Sequence, residues 1–242
     1  MNEKLEKERE ERRKQFLSWE IENDLPREVG DYILRRIDFP TAEDRNAGKV
    51  KTDSCVYTAF AWENEKNGWM VKAIFDEETK DYMVKMDLRL MTLTQLESIT
   101  GDFEQFKKRV RELTPKAIEK DLIRLERVPA LAADKGFMKW DYKKVMPEKV
   151  GKYERIIKPT NPVEGLNGSF VIGAYECKER NVGALFFYNI YREEYYGELR
   201  AGSIPVIVHQ YDATTIGEFS SRLEAYLEKD LEMLYENPVV ED

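Results

Sequence analysis

The sequence predicts an α+β fold in which an antiparallel β-meander of four to five strands is followed by an amphipathic helix, the whole unit occurring twice in tandem. Three observations lead there. A pattern of the form FxxWx(6)PxxVGxY stands at Phe16, Trp19, Pro26, Val29, Gly30 and Tyr32, and again 121 positions later at Phe137, Trp140, Pro147, Val150, Gly151 and Tyr153. Each occurrence is followed by short segments rich in β-formers and separated by brief polar turns. Each series then ends in a stretch whose apolar residues recur three and four apart.

Ahead of the first pattern, residues 1–15 form a charged N-terminal helix or arm, with Leu5 alone among apolar residues between Glu3 and Gln15. Such composition suits a solvated helix. The first repeat covers residues 16–114. VGDYILRRIDF reads as its opening strand, SCVYTAFAW and WMVKAIF as a pair joined by ENEKNG, and YMVKMDLRL as the next across DEETKD. In the last of these Tyr82, Val84, Met86, Leu88 and Leu90 share one face, so that face is buried. Phe103, Phe106, Val110 and Leu113 make the helical stripe, and Pro115 is expected to stop it. Residues 115–136 form a connector with a helix over 116–126, where Ile118, Leu122 and Leu125 lie on one side.

The second repeat covers residues 137–236, and a tail, 237–242, follows. Its strands are expected over 168–177, 184–191, 195–200 and 204–211. Thr215-Ile-Gly-Glu218 has the form of a capping box, and Phe219, Leu223, Leu227, Leu231 and Leu234 extend it as an apolar stripe. The repeats align at a shift of 121 through Glu43 and Asn46, opposite Glu164 and Asn167. Additional residues in the first repeat, Ala47 to Thr52, then bring the shift to 115, pairing Ser54 with Ser169, Val56 with Val171, Ala59 with Ala174 and Gly68 with Gly183. One more residue in the second repeat sets Gly101 and Phe103 against Gly217 and Phe219.

Composition narrows the function classes. Acidic residues (47) outnumber basic ones (39), and the resulting charge of −8 disfavours strong binding to duplex DNA, whose affinity comes chiefly from phosphate neutralisation. No apolar run reaches the length of a membrane helix. The first residues lack the apolar stretch of a secretory signal, so a cytoplasmic location is expected. Cys55 and Cys177 sit in separate strand-like segments and read as reduced thiols.

Chemistry is harder to find. The chain has one histidine, His209, too few for a zinc site built from His and Cys. P-loop, GxSxG, HExxH and EF-hand patterns are absent. The carboxylates Glu77, Glu78, Asp81, Glu193 and Glu194 cluster in turns beside Lys80 or Arg192 and read as ordinary surface. These points lean away from an enzyme and imply no cofactor and no metal. The binding candidates are the repeated acid and amide, Glu43, Asn46, Glu164 and Asn167, and the aromatics Phe187 and Tyr191, which alternation places with Asn189 on one strand face.

In topology alone, the tandem sheet-then-helix order resembles the Whirly and PUR-repeat single-strand binders, whose paired sheets hold bases on aromatic side chains beside a positive groove. The leading expectation is a non-catalytic binding or protein-interaction protein with a protein or small-molecule partner, monomeric or a homodimer and with no membrane role. The alternatives are single-stranded nucleic-acid binding and a carboxylate- or metal-dependent hydrolase. Features matched between repeats read as scaffold, so function is expected where they differ, notably at Ala47–Thr52 and in the aromatic strands of the second repeat.

Overall fold

A computed structural model describes residues 3–37, 55–125, 128–202 and 204–237. Glu43, Asn46 and Ala47–Thr52 lie outside the described residues. The chain divides into two compact units, residues 1–88 with 93–119, and residues 89–92 with 120–242.

The first unit opens with helices α1 (Glu3–Ser18) and α2 (Ile21–Asp24). A six-stranded sheet follows in sequence order: β1 (Glu28–Val29), β2 (Tyr32–Arg36), β3 (Val56–Asn64), β4 (Trp69–Asp76), β5 (Asp81–Asp87) and β6 (Thr92–Thr100). Gly30 adopts φ +57°, the left-handed region that glycine enters without strain, and folds VGDY into a tight hairpin instead of one straight strand. Strand β6 escapes the sequence reading because Leu93, Leu96 and Ile99 are spaced by three, not two.

Helix α3 (Phe103–Ala117) closes this unit, its first turn capped by the Asp102 carboxylate, which accepts from the Gln105 N–H at 2.7 Å. Phe106 stacks on Tyr82 at 5.3 Å, and Trp19 meets Phe60 edge-on at 5.2 Å. The buried stripe is Phe106, Val110 and Thr114, with Leu113 only half-buried. Pro115 does not end the helix. It lacks one N–H, yet the Ile118 N–H bonds the Thr114 and Pro115 carbonyls, and the chain widens into a π-turn over Ile118–Ile123. That turn replaces the separate connector helix expected over 116–126.

The second unit carries a short helix α4 (Ala130–Ala133), a 3-10 turn (Gly136–Lys139) and the strands β7 (Lys149–Val150), β8 (Tyr153–Ile157), β9 (Val163–Glu164), β10 (Ser169–Cys177), β11 (Val182–Asn189), β12 (Glu194–Ala201) and β13 (Ile204–Ala213). They form a seven-stranded sheet in the order β13-β12-β11-β10-β8-β7, with β9 paired to β10. Helix α5 (Ile216–Glu236) covers one face, and all five residues of its expected stripe are buried. Thr215 Oγ1 accepts from the Glu218 N–H, but the Glu218 carboxylate reaches back to the Thr214 N–H, one residue earlier than a regular capping box.

The two sheets are built to one plan, and backbone geometry fixes their correspondence independently of residue identity. The β3–β4 ladder shifts register between Thr58 and Phe60, and the β10–β11 ladder shifts between Val171 and Gly173, 113 residues on. Left-handed residues keep the same spacing, with Gly68 matching Asn181, Lys80 matching Glu193, and Arg89 matching Gly202. The helix caps Asp102 and Thr215 do so as well. The shift is therefore 113 from β3 to the closing helix. It is not 115, and no additional residue enters the second repeat before its helix. Small apolar residues and glycines align acceptably at several registers in β-rich sequence, whereas a bulge or a positive φ aligns at one. In this register Phe106 and Val110 correspond to Phe219 and Leu223, each fully or nearly fully buried. The Trp62 Nε1–H donates to the Pro26 carbonyl at 3.0 Å, and the Tyr175 hydroxyl donates to the Pro147 carbonyl at 2.7 Å, so each anchors the proline of the repeated pattern.

Polar pinning supplements this core. Asp230, buried on α5, accepts from the Tyr211 hydroxyl at 2.6 Å and from Gln210 Nε2 at 2.8 Å, tying helix to edge strand. Leaving a buried phenol without its acceptor costs about 1–3 kcal/mol, more when that acceptor is charged. Asp230→Ala is expected to lower unfolding free energy by about 2 kcal/mol in urea titration. A change under about 0.5 kcal/mol, the usual scale for unimportant surface positions, would exclude this bridge as a stabilising contact.

Candidate binding site

The sequence candidates in the second unit meet at one end of its sheet. Loop 165–168 enters β10, and the hairpin 190–193 joins β11 to β12. The residue that joins them is Asn189, at the last position of β11. Its Oδ1 accepts from the Tyr191 and Arg192 N–H groups, both at 3.0 Å, closing the hairpin as an Asx turn. Its Nδ2 donates to the Asn167 carbonyl and to Ser169 Oγ, again at 3.0 Å. The Ile190 N–H adds a bond to the Gly168 carbonyl at 2.9 Å. Both polar atoms of one buried amide thus hold two loops together.

Gly168 permits the remaining contact. At φ +70°, a Cβ there would stand 2.5 Å from Tyr191 Cε2, so only glycine lets the Tyr191 ring lie against the loop backbone. The ring is held on this side yet is 75% exposed, the most open of the large hydrophobic side chains among the described residues. Leu166, 51% exposed, and the exposed Asn167 belong to the same loop. Asn167 itself adopts φ +55°, which asparagine tolerates better than most residues.

Phe187 does not belong to the exposed surface. It is 7% exposed and stacks on Tyr196 with ring centres 4.8 Å apart and planes 8° from parallel. Tyr191 lies beyond the end of β11, so strand alternation does not place it on a face with Phe187. The Tyr196 hydroxyl shares a hydrogen bond with Ser169 Oγ at 3.1 Å, which connects the stacked pair to the loop. Burial pushes the Tyr196 phenol above its ordinary range, with the Ser169 contact opposing that rise.

Glu164 stands apart. It is exposed on β9, with Lys120 Nζ 4.0 Å from its carboxylate, and it lines a separate recess of about 20 Å³, roughly the room for one water. The structure therefore brings Asn167 and Tyr191 together, with Phe187 beneath them through Tyr196 and Ser169, and leaves Glu164 outside. Asn189, Ser169 and Tyr196 were not among the sequence candidates. Asn189 was findable, since at the shift of 113 it matches Asp76, whose Oδ1 accepts from the Glu78 N–H in the equivalent turn.

Elsewhere, His209 is exposed on β13 with Nδ1 2.8 Å from Asp212 Oδ2. Lys72, one of the cations on the outer face of the first sheet, pairs with Asp87. Among the described residues, no group of three or more His, Cys, Asp or Glu is placed to hold a metal ion. No helix among them is long and apolar enough to cross a membrane. Comparison with protein-family models, curated proteins and solved structures found no match to this chain.

Proposed function

We propose that this chain is a non-catalytic binding or protein-interaction protein of the cytoplasm, built from two copies of one α+β unit. The observation that carries the reading is the locked tip of the second sheet, where Asn189 fixes two loops and displays Tyr191 outward. A tyrosine held in place loses little entropy on binding and offers both an apolar ring and a hydroxyl, which suits recognition of a partner. The first unit has Glu78 at the corresponding position, so the aromatic display distinguishes one repeat from the other. Cys55 and Cys177 are not joined in a disulfide, which suits a reducing compartment.

The other readings have less support. The single-strand reading needs open stacking platforms beside free cations, and here Phe187 is buried while Lys72 is engaged by Asp87. The hydrolase reading needs convergent carboxylates, and among the described residues no such metal-holding group is found.

Tyr191→Ala is expected to leave stability within about 0.5 kcal/mol, as for a surface position. The same substitution should abolish retention of whatever the unmodified chain holds in an affinity experiment at matched thermal stability. Equal retention by both chains would remove the tip from the proposal. Robust turnover in a substrate screen, lost on substitution of a single carboxylate, would remove the non-catalytic reading altogether.

A further inference from the structure

Helix α5 runs for 21 residues where α3 runs for 15. At the shift of 113, α3 matches residues 216–230, and the first copy enters its π-turn where α5 continues over 231–236. Between that continuation and the hairpin of β7 and β8 lies an open-sided recess of about 260 Å³. A cavity of about 150 Å³ already takes a benzene ring, so this one has room for a ring and a short chain.

Two tyrosines form its walls. Tyr153 stands on the sheet side and Tyr235 on the helix side, and Val150 and Leu231 add apolar surface. Arg180 lies over the Tyr235 ring at 4.4 Å and steadies it. Tyr153 is 2% exposed, and its hydroxyl has no hydrogen-bond partner among the described residues. Burial pushes this phenol far above its ordinary range, so it stays a neutral hydroxyl with an unused acceptor oxygen. Its electrostatic neighbours are Cys177, Arg180 and Tyr235, which turns it toward the opposite wall. An unpaired buried hydroxyl is costly, and a donor from a ligand would relieve it.

The rim is acidic. Glu228, Glu232 and Glu236 recur every four residues on the face of α5 that lines the recess, and all three are exposed. Like charges at that spacing repel, and negative charge at a helix C-terminus opposes the macrodipole. No basic residue stands in the last turn, and none of the three acids has a cationic partner among the described residues. Lys152 is the one cation among the lining residues, against three acids. In the first copy the matching places hold Pro115, Glu119 and Ile123, so the acidic rim belongs to the second copy.

We infer that this recess binds a small primary ammonium ion whose apolar substituent is about one ring in size. An ammonium carries three donors, which the Tyr153 oxygen and the rim carboxylates can accept, and aromatic faces attract it further. Val150, Leu231 and the Tyr235 ring receive the substituent. The three acids do not converge tightly enough to hold a bare metal ion, which favours a larger organic cation. The recess is separate from the Tyr191 tip and does not depend on it.

Titration of the unmodified chain with 2-phenylethylammonium chloride at low salt, followed by amide NMR, is the test. Shifts should saturate with a Kd of about 1 mM or below and concentrate in residues 150–153 and 228–236. The uncharged 2-phenylethanol, of the same size, should bind about tenfold more weakly, the worth of a charge-assisted contact. Glu228→Gln with Glu232→Gln and Glu236→Gln should likewise weaken the ammonium about tenfold. Stability should hold or rise in that variant, because the repulsion and the dipole penalty leave with the charges. Tyr153→Phe removes a hydroxyl that has no partner in the chain, so it should fold normally and bind about threefold more weakly. Shifts that never saturate, or that spread over the whole acidic surface, would overturn the inference. Equal affinity for 2-phenylethanol, or unchanged affinity in either variant, would do the same. If Tyr153→Phe does not fold, the glutamine variant and the alcohol decide.

Discussion

Replacing Gly183 by alanine is expected to destabilise the second unit by at least about 3 kcal/mol, at or beyond the upper end of ordinary overpacking. A Cβ at this position would stand 2.2 Å from the Tyr175 carbonyl oxygen and 2.3 Å from Leu90 Cδ1. Leu90 could rotate away. The carbonyl cannot, because Tyr175 belongs to β10, which is paired to β11 on one side and β8 on the other. Relief would require opening the centre of the sheet. Gly151 provides the control. It belongs to the repeated pattern and has φ +55°, but nothing lies within 4 Å of a Cβ built there. Gly151→Ala should cost only the left-handed strain, about 1–2 kcal/mol. Urea titrations of the two variants should therefore rank Gly183→Ala well below Gly151→Ala. The reverse order would show that β10 and β11 do not approach as described.

That ranking inverts what the sequence suggests, since Gly151 recurs between repeats and Gly183 corresponds to Met70. The contrast marks what is legible in the chain. Periodicity reads side chains against the solvent, so it finds the apolar faces, the buried stripe of α5 and the order of most strands. It does not read register, because a shift of two residues leaves every side chain on the same face. The alignment at 115 differs from the structural 113 by that amount, which is why it preserved the strand order and still mismatched the turns. Asn189 was lost to this slip. Its role as the pin of the tip is visible only when it is set beside Asp76. Helix α1 was misread for another reason. Docking by arginine leaves no apolar periodicity, so a helix whose Arg9 pairs with Glu77 and whose Arg12 lies over the Phe75 ring is written like a solvated one.

Alkaline titration should expose the largest vulnerability, with cooperative unfolding beginning above about pH 10, where exposed tyrosines ionise. Tyr32, Tyr153, Tyr175, Tyr195 and Tyr211 are among the tyrosines at most 4% exposed. Burial disfavours the phenolate in each and pushes Tyr32 and Tyr195 up to about 12. Tyr153 and Tyr175 are raised further by burial, and Tyr211 is raised by burial and then by its hydrogen bond to the Asp230 carboxylate. A folded-state pKa above the unfolded one gives stability that is complete below the unfolded value and lost as pH rises. Between pH 10 and about 12 the unfolded chain therefore releases protons that the folded chain retains. Tyr32 and Tyr195 would each forfeit about 2–3 kcal/mol by the top of that window. Tyr32 belongs to the first unit and Tyr195 to the second, so each unit loses about half of a low domain stability of about 5 kcal/mol, before Tyr153, Tyr175 and Tyr211 contribute in the second. Tyrosinate absorbance at 295 nm should thus rise in step with loss of the far-ultraviolet dichroism, as one transition. Phenolate appearing near pH 10 for all tyrosines with the dichroism intact would mean that these rings are reached by water in the folded chain. Phenylalanine at 211 separates the contributions. It removes the ionisation together with the bond to Asp230, so Tyr211→Phe should lower stability at pH 7 and weaken its dependence on pH above 10.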